Sequence, residues 1–140
     1  MSIRIEGNAL TPEIYESVRK TADFQHFEQP DVKIAIENSL FTLVVFQEDK
    51  PVGIGRIVGD NRIAFLIKDV VVVPECQHQK IGQLIMENLL AYIQKNSCPC
   101  PYVVLMASKG TEEFYKKFGF VCRPIGSMGY GMIKPYEGKS

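Results

Sequence analysis

Between Val70 and Leu90 the chain reads VVVVPECQHQKIGQLIMENLL. A run of β-branched residues stops at Pro74, crosses Gln77, His78, Gln79 and Lys80, and restarts as an amphipathic stretch with Gly82 in its first turn. A helix that starts so soon after a strand presents unpaired backbone N–H groups and the positive end of its dipole, which together suit a phosphate group. Gly82 admits close approach to the backbone and Pro74 ends strand pairing. On its own, one glycine at a helix start fits a plain strand-to-helix turn better than a ligand site. Two other residues carry chemistry. Asp69 is a carboxylate inside an apolar strand, a costly place unless it is paired or beside a wet cleft. It either takes a proton, directly or through water, or holds an ammonium group, or pairs with a basic neighbour such as Arg56. Tyr115, in TEEFYKKFGF (111–120), is a phenol on an apolar body and by composition alone a core aromatic.

The elements that must position these residues follow from periodicity. IRIEG is a first strand, and Thr11 before Pro12 is an N-cap with proline at the first helical position. DVKIAIENS is a second short helix capped by Asp31. FTLVVFQEDKPVGIGRIVGD reads as a hairpin turning at EDKP. GIGR (53–56) lies inside a strand pattern, which favours a bulge or close packing over a phosphate loop. IAFLIKDVVVVP is too apolar for an edge and is expected to be central, covered on both faces. Ile81, Leu84, Ile85, Leu89, Tyr92 and Ile93 recur at three and four, the stripe of a helix packed on a sheet. YVVLMAS is a further strand, TEEFYKKFG a short helix closed by Gly119, and FVCRP and GYGMIKPY two final strands. The order implies one mixed α/β domain, residues 1–140, whose central strand and successor are joined by a crossover helix.

Composition narrows the function classes. With 140 residues and 46% hydrophobic content the chain suits one packed core. Sixteen basic residues balance sixteen acidic ones, so no basic footprint for nucleic acid is expected. No leader pattern or membrane-length apolar run occurs, which predicts a cytoplasmic protein without a membrane partner. Cys76, Cys98, Cys100 and Cys122 lack the two close pairs of a zinc site and are expected to be free thiols, with no metal bound. His26 and His78 are lone surface histidines by spacing.

Taken together, VVVPE, the loop QHQKIG and EEFYKKFGF resemble the GNAT superfamily of acyl-CoA-dependent N-acetyltransferases. In that family a central strand leads through Gln/Arg-x-x-Gly-x-Gly/Ala into a helix, and the loop amides cradle the coenzyme A pyrophosphate. The aligned residues here are Gln77 to Gly82, with Lys80 where the first glycine usually stands, and Ser108 lies near a position often held by asparagine. The resemblance extends over nearly the whole chain. It implies a mixed sheet of about six to seven strands with flanking helices and a central strand splayed to take acetyl-CoA as co-substrate. Val71, Val72 and Val73 would face the pantetheine arm and supply an oxyanion N–H, while Gln79, Lys80, Ile81, Gly82, Gln83 and Leu84 would hold the pyrophosphate. Tyr115 would protonate the departing thiolate, and Asp69 is the candidate for the amine's proton. The tail PIGSMGYGMIKPY resembles members that acetylate small amines, aralkylamines among them, which implies direct transfer to a primary amine of a small molecule. A protein lysine or N-terminus is the alternative acceptor, and a non-catalytic acyl-CoA-binding module the alternative class. A homodimer is common in the family. A lysine in the glycine's place is expected to have helical backbone, since a side chain at positive φ is strained.

Overall fold

The structure, a computed structural model, describes residues 2–22 and 24–137. It divides into two compact units, Met1–Met106 and the segment from Ala107 onward.

The first unit holds a five-stranded sheet in the order β1 (Ile3–Gly7), β2 (Phe41–Gln47), β3 (Lys50–Gly59), β4 (Ala64–Val72), β5 (Tyr102–Leu105). The first three pairings are antiparallel and β4 with β5 is parallel. Parallel neighbours need a crossover, and α3 (Ile81–Asn96) provides it. The β2–β3 hairpin turns through Glu48 and Asp49, both at positive φ (50° and 64°), as the twist-matched two-residue turn requires. On the other side of the sheet, α1 (Pro12–Arg19) packs against β3 and β4 and against α2 (Gln29–Glu37). Thr11 caps α1 through Oγ1, which accepts from the Ile14 N–H at 3.2 Å, with Pro12 following at a position that needs no donor. The cap of α2 is Glu28 rather than Asp31, which sits inside the first turn where a carboxylate meets the dipole.

Burial locates the core. Val52 to Ile57 are buried without interruption, so β3 is the strand covered on both faces, with Thr42 to Val45 of β2 beside it. That place was expected for β4, which is interior to the sheet but alternates in burial. Gly53 and Gly55 explain how α3 sits so close: a Cβ on Gly55 would lie 2.8 Å from Ile85 Cγ2 and 3.0 Å from Leu89 Cδ1. GIGR is therefore a close-packing segment, and its register with β4 also shifts between Ile54 and Arg56.

The second unit contains α4 (Glu112–Lys116), closed by Gly119 at φ 91°. FVCRP and GYGMIKPY, expected as strands six and seven, are not strands among the described residues. They flank a two-residue turn, Gly126–Ser127, across which Ile125 and Met128 exchange both backbone hydrogen bonds (3.1 and 2.9 Å). The pairing goes no further as a β-ladder. Two strands alone are marginal in water, and Pro124 and Pro135 cannot donate to a ladder.

Candidate active site

The end of β4 is built by three local effects. Parallel pairing with β5 runs only from Ala64↔Tyr102 to Ile67↔Leu105, while β4 continues to Val72, so among the described residues no strand pairs with 68–72 on that side of the sheet. Opposite Gly55, β4 carries an extra residue: Ile54 pairs with Val71 but Arg56 with Lys68, which makes Asp69 and Val70 a bulge with Asp69 at φ 54°. Pro74, which has no N–H, then opens a single 3-10 turn (Pro74–Cys76).

Hydrogen bonds decide what the open edge offers. Val73 N–H donates to Val52 O at 2.9 Å, toward β3. Val71, two residues earlier and paired with Ile54, faces β3 as well, so by alternation Val72 is the one whose N–H and C=O face the open side. Its carbonyl accepts from Gln77 Nε2 at 3.2 Å, which leaves its N–H as the donor presented there. Of the three valines singled out by sequence, only Val72 thus has the geometry of an edge donor. Gln77 stood in the loop motif, but no sequence signal gives this bond.

The helix start follows directly. Lys80 precedes α3 with φ 62° and ψ 21°, in the left-handed region, and not with helical backbone as expected. The loop keeps the backbone shape for which glycine is the usual choice and holds a lysine in it, at a cost of about 1–2 kcal/mol. No side chain caps the helix and no acidic residue lies in its first turn. The first intrahelical bond is Leu84 N–H to Lys80 O at 3.1 Å, so the amides of Lys80, Ile81, Gly82 and Gln83 precede the ladder while that of Leu84 belongs to it. Four N–H groups and an uncompensated dipole end can take a dianionic pyrophosphate. Gln79 is tied back to β2, accepting at Oε1 from Gln47 Nε2 at 2.7 Å. The Lys80 side chain is exposed.

On the opposite face of the sheet, the Asp69 side chain is 5% exposed and its oxygens meet two guanidinium groups: Oδ1 with Arg19 Nε at 3.2 Å and Oδ2 with Arg56 Nε at 3.0 Å. Tyr15 O–H donates to Oδ2 at 3.3 Å, and burial, with the Asp69 charge second, pushes the Tyr15 phenol up. Arg56 also donates to Ser39 Oγ at 3.2 Å. The Arg19 guanidinium lies against the rings of Tyr15, Phe24 and Phe27, at 4.8, 5.1 and 5.6 Å from their centroids. Asp69 therefore has the paired setting that one sequence alternative described, with Arg56 as its partner and Arg19 in addition. Arg19 was missed, although its place four residues after the buried Tyr15 put it on the same helix face.

Tyr115 lies in α4 within the second unit. Its ring meets Phe114 edge-on at 5.0 Å and Phe120 at 6.4 Å, and burial pushes its phenol above the ordinary tyrosine value, so it holds its proton through neutral pH. Among the described residues no group of three metal-ligating side chains occurs, and all four cysteines are free, Cys76 buried and Cys100 and Cys122 exposed. No helix among them is long and apolar enough to cross a membrane.

Comparison with known proteins bears on this geometry. The acetyltransferase (GNAT) domain family matches residues 10–127. An uncharacterized N-acetyltransferase, ycf52, of Gracilaria tenuistipitata var. liui is 31% identical over 102 residues, covering 70% of this chain and 55% of its own length. Serotonin N-acetyltransferase 2, chloroplastic, of Oryza sativa subsp. japonica is 27% identical over 130 residues, covering 88% of this chain and 62% of its own. The chain thus spans a little over half the length of these curated relatives. Among solved structures, a protein of unknown function from Meticillin-Resistant Staphylococcus aureus aligns with a TM-score of 0.86 and 31% identity over 96% of this chain and all of that one. An open-edged strand running into a helix start with free amides, in a chain matched from residue 10 to 127, places this protein in the GNAT acetyltransferase family.

Proposed function

We propose that this protein transfers an acetyl group from acetyl-CoA directly to a primary amine of a small molecule. The observation that carries the reading is the unpartnered stretch of β4 from Lys68 to Val72, ending within nine residues of the uncapped start of α3. An extended pantetheine arm adds to such an edge as a strand does, and the pyrophosphate reaches the amides of residues 80–83. In the reaction the neutral amine attacks the thioester carbonyl, the C–S bond breaks, and coenzyme A leaves as a thiolate that needs a proton. The Val72 N–H is proposed to stabilise the oxyanion and Tyr115 to protonate the sulfur, a task that suits a phenol held in its protonated form. Asp69 is proposed to position β4, since both of its oxygens are engaged by arginines; the amine's proton then passes to water. The rice relative's name points to an aralkylamine, which supports a small aromatic amine as acceptor. Four free thiols support a reducing compartment such as the cytoplasm.

The test is acetyl-CoA-dependent thiol release against a panel of aralkylamines, polyamines and lysine- or N-terminus-bearing peptides. A control without acetyl-CoA is needed, because exposed Cys100 and Cys122 react with thiol reporters. Turnover with peptides alone would move the acceptor to proteins. Binding of acetyl-CoA without turnover of any amine would make the chain a binding module. Tyr115→Phe keeps the ring and is expected to lower kcat about 10²-fold with acetyl-CoA affinity nearly unchanged. An unchanged kcat would return Tyr115 to packing alone.

A further inference from the structure

Between the 3-10 turn and α3, the backbone of the loop is tied mainly to itself: the amides of Gln77 and Gln79 donate to Pro74 O and Cys76 O, both at 3.3 Å. Bonds of this kind shape a turn but do not fix it against the sheet. A side chain from β2 does so. Gln47 ends that strand, opposite Ile3 of β1 on one side and Lys50 of β3 on the other, so its backbone is held from both directions. Its carboxamide meets the loop twice. Oε1 accepts from the thiol of buried Cys76 at 3.3 Å, and Nε2 donates to Gln79 Oε1 at 2.7 Å. Because the thiol takes the oxygen, the amide turns its nitrogen toward Gln79. Gln47 lies 32 residues before Gln79 and belongs to no motif of the sequence.

Two consequences follow for the loop. Gln79 immediately precedes Lys80, whose φ of 62° is a conformation that a side-chain-bearing residue keeps only where its surroundings over-determine it. A tie from the rigid end of β2 to the preceding residue is such a constraint. The same bond also sets the polarity of the exposed Gln79 carboxamide. Its oxygen, which would repel a phosphate, is engaged by Gln47, and its Nε2 is left as a donor beside the amides of residues 80–83. We infer that Gln47 is a positioning residue for acetyl-CoA: it latches the loop to the sheet in its binding shape and orients Gln79 as a donor to the pyrophosphate. The inference rests on the reading of this loop as the pyrophosphate cradle. Gln47 acts through Gln79 and Cys76 without touching the ligand. A loop already held in shape loses less freedom on binding, so the latch is read as affinity.

The test is a double-mutant cycle on the full chain, read by titration calorimetry with acetyl-CoA. Gln47→Ala and Gln79→Ala are each expected to raise Kd about three- to tenfold, the worth of one hydrogen bond. The double variant is expected to bind no more weakly than Gln79→Ala, since the two residues act through one contact. Gln47→Met, which keeps the stem, replaces Gln47→Ala if the latter fails to fold. Steady-state kinetics with an amine that is turned over is expected to show the KM for acetyl-CoA rising in Gln47→Ala with kcat kept, and kcat/KM for S-acetylpantetheine, which ends before the pyrophosphate, unchanged. A role in general packing would lower kcat/KM for both donors alike and overturns the inference. So do equal affinities of the parent and Gln47→Ala, or losses that add in the double variant. A parent that does not bind acetyl-CoA removes the reading of the loop and this inference with it, whereas a parent that binds beside an unaffected Gln47→Ala removes this inference alone. The calorimetric cycle decides the matter even where no amine is turned over.

Discussion

Lys80 is the residue at which the loop departs from a glycine-bearing motif, and its geometry makes the departure measurable. At φ 62° and ψ 21° its Cβ crowds the following carbonyl, at a cost of about 1–2 kcal/mol. Lys80→Gly removes that cost but gives the unfolded chain more freedom, which offsets about 0.4–1 kcal/mol. The net expectation is a stabilisation of about 0.5–1 kcal/mol, or about 2–4 °C in Tm for a domain of this size. Lys80→Ala removes the ammonium and keeps the crowded backbone, so its Tm should stay near that of the parent. The same pair separates shape from charge in binding. If the ammonium meets phosphate, Lys80→Ala and Lys80→Gly both bind acetyl-CoA more weakly at low salt, and the loss shrinks as salt screens the charge. If the loop matters through its shape alone, Lys80→Gly binds at least as well as the parent at every salt concentration. Thermal melts and titration calorimetry at two ionic strengths read both effects. A Lys80→Gly protein that melts at or below the parent would refute the strain argument, because the only unfavourable term left would be the glycine's own entropy.

Three other outcomes follow from the structure. Asp69→Asn leaves Arg19 and Arg56 facing an uncharged amide in a buried site, and is expected to cost about 3 kcal/mol, a fall in Tm of about 10 °C; a melt within 2 °C of the parent, by the same scaling of about 10 °C for that cost, would show the cluster to be dispensable. Gly55→Ala drives a Cβ into Ile85 and Leu89 and is expected to cost about 1–3 kcal/mol and to weaken acetyl-CoA binding, since α3 carries the amides of residues 81–83; an unchanged Tm would refute the close-packing role. Tyr15 and Tyr115 both have folded pKa values raised above 10.0, so the native state keeps protons that the unfolded chain has released. The stability they contribute is therefore whole below about pH 10 and is lost as pH rises through the native values, and Tyr15→Phe should flatten the alkaline limb of Tm against pH.

What the sequence showed of this architecture depends on how local each signal is. The α3 stripe from Ile81 to Ile93 and the β2–β3 hairpin were legible because apolar period and turn residues are properties of neighbouring positions. The bulge at Asp69 was not, since nothing local distinguishes a carboxylate that pairs across the sheet from one that faces a cleft; its partners Arg19 and Arg56 lie 50 and 13 residues away. The start of α3 just after the strand was legible, but the left-handed Lys80 was not, because propensity argues against it and only the connection from Pro74 to Ile81 imposes it. FVCRP and GYGMIKPY were read as strands from composition, which reports a capacity to pair and says nothing about whether a partner strand is at hand.

The bulge and the open edge are two results of one insertion. An extra residue in β4 against β3 bends the strand and reverses its alternation, so Ile67 follows Ile57 toward α3 while Val71 follows Ile54 toward α1. A strand that bends in this way cannot keep register with a straight parallel neighbour, and pairing with β5 stops at Ile67, two residues before Asp69. The positive φ of Asp69 is unfavourable in isolation, and its carboxylate can offset that cost only because Arg19 and Arg56 reach it from α1 and β3. The buried cluster on one face of the sheet therefore holds open the edge from which Val72 donates. On the proposed reading Asp69 is a positioning residue, and Asp69→Asn is expected to weaken acetyl-CoA binding first and turnover only through it, which titration calorimetry beside steady-state kinetics would check.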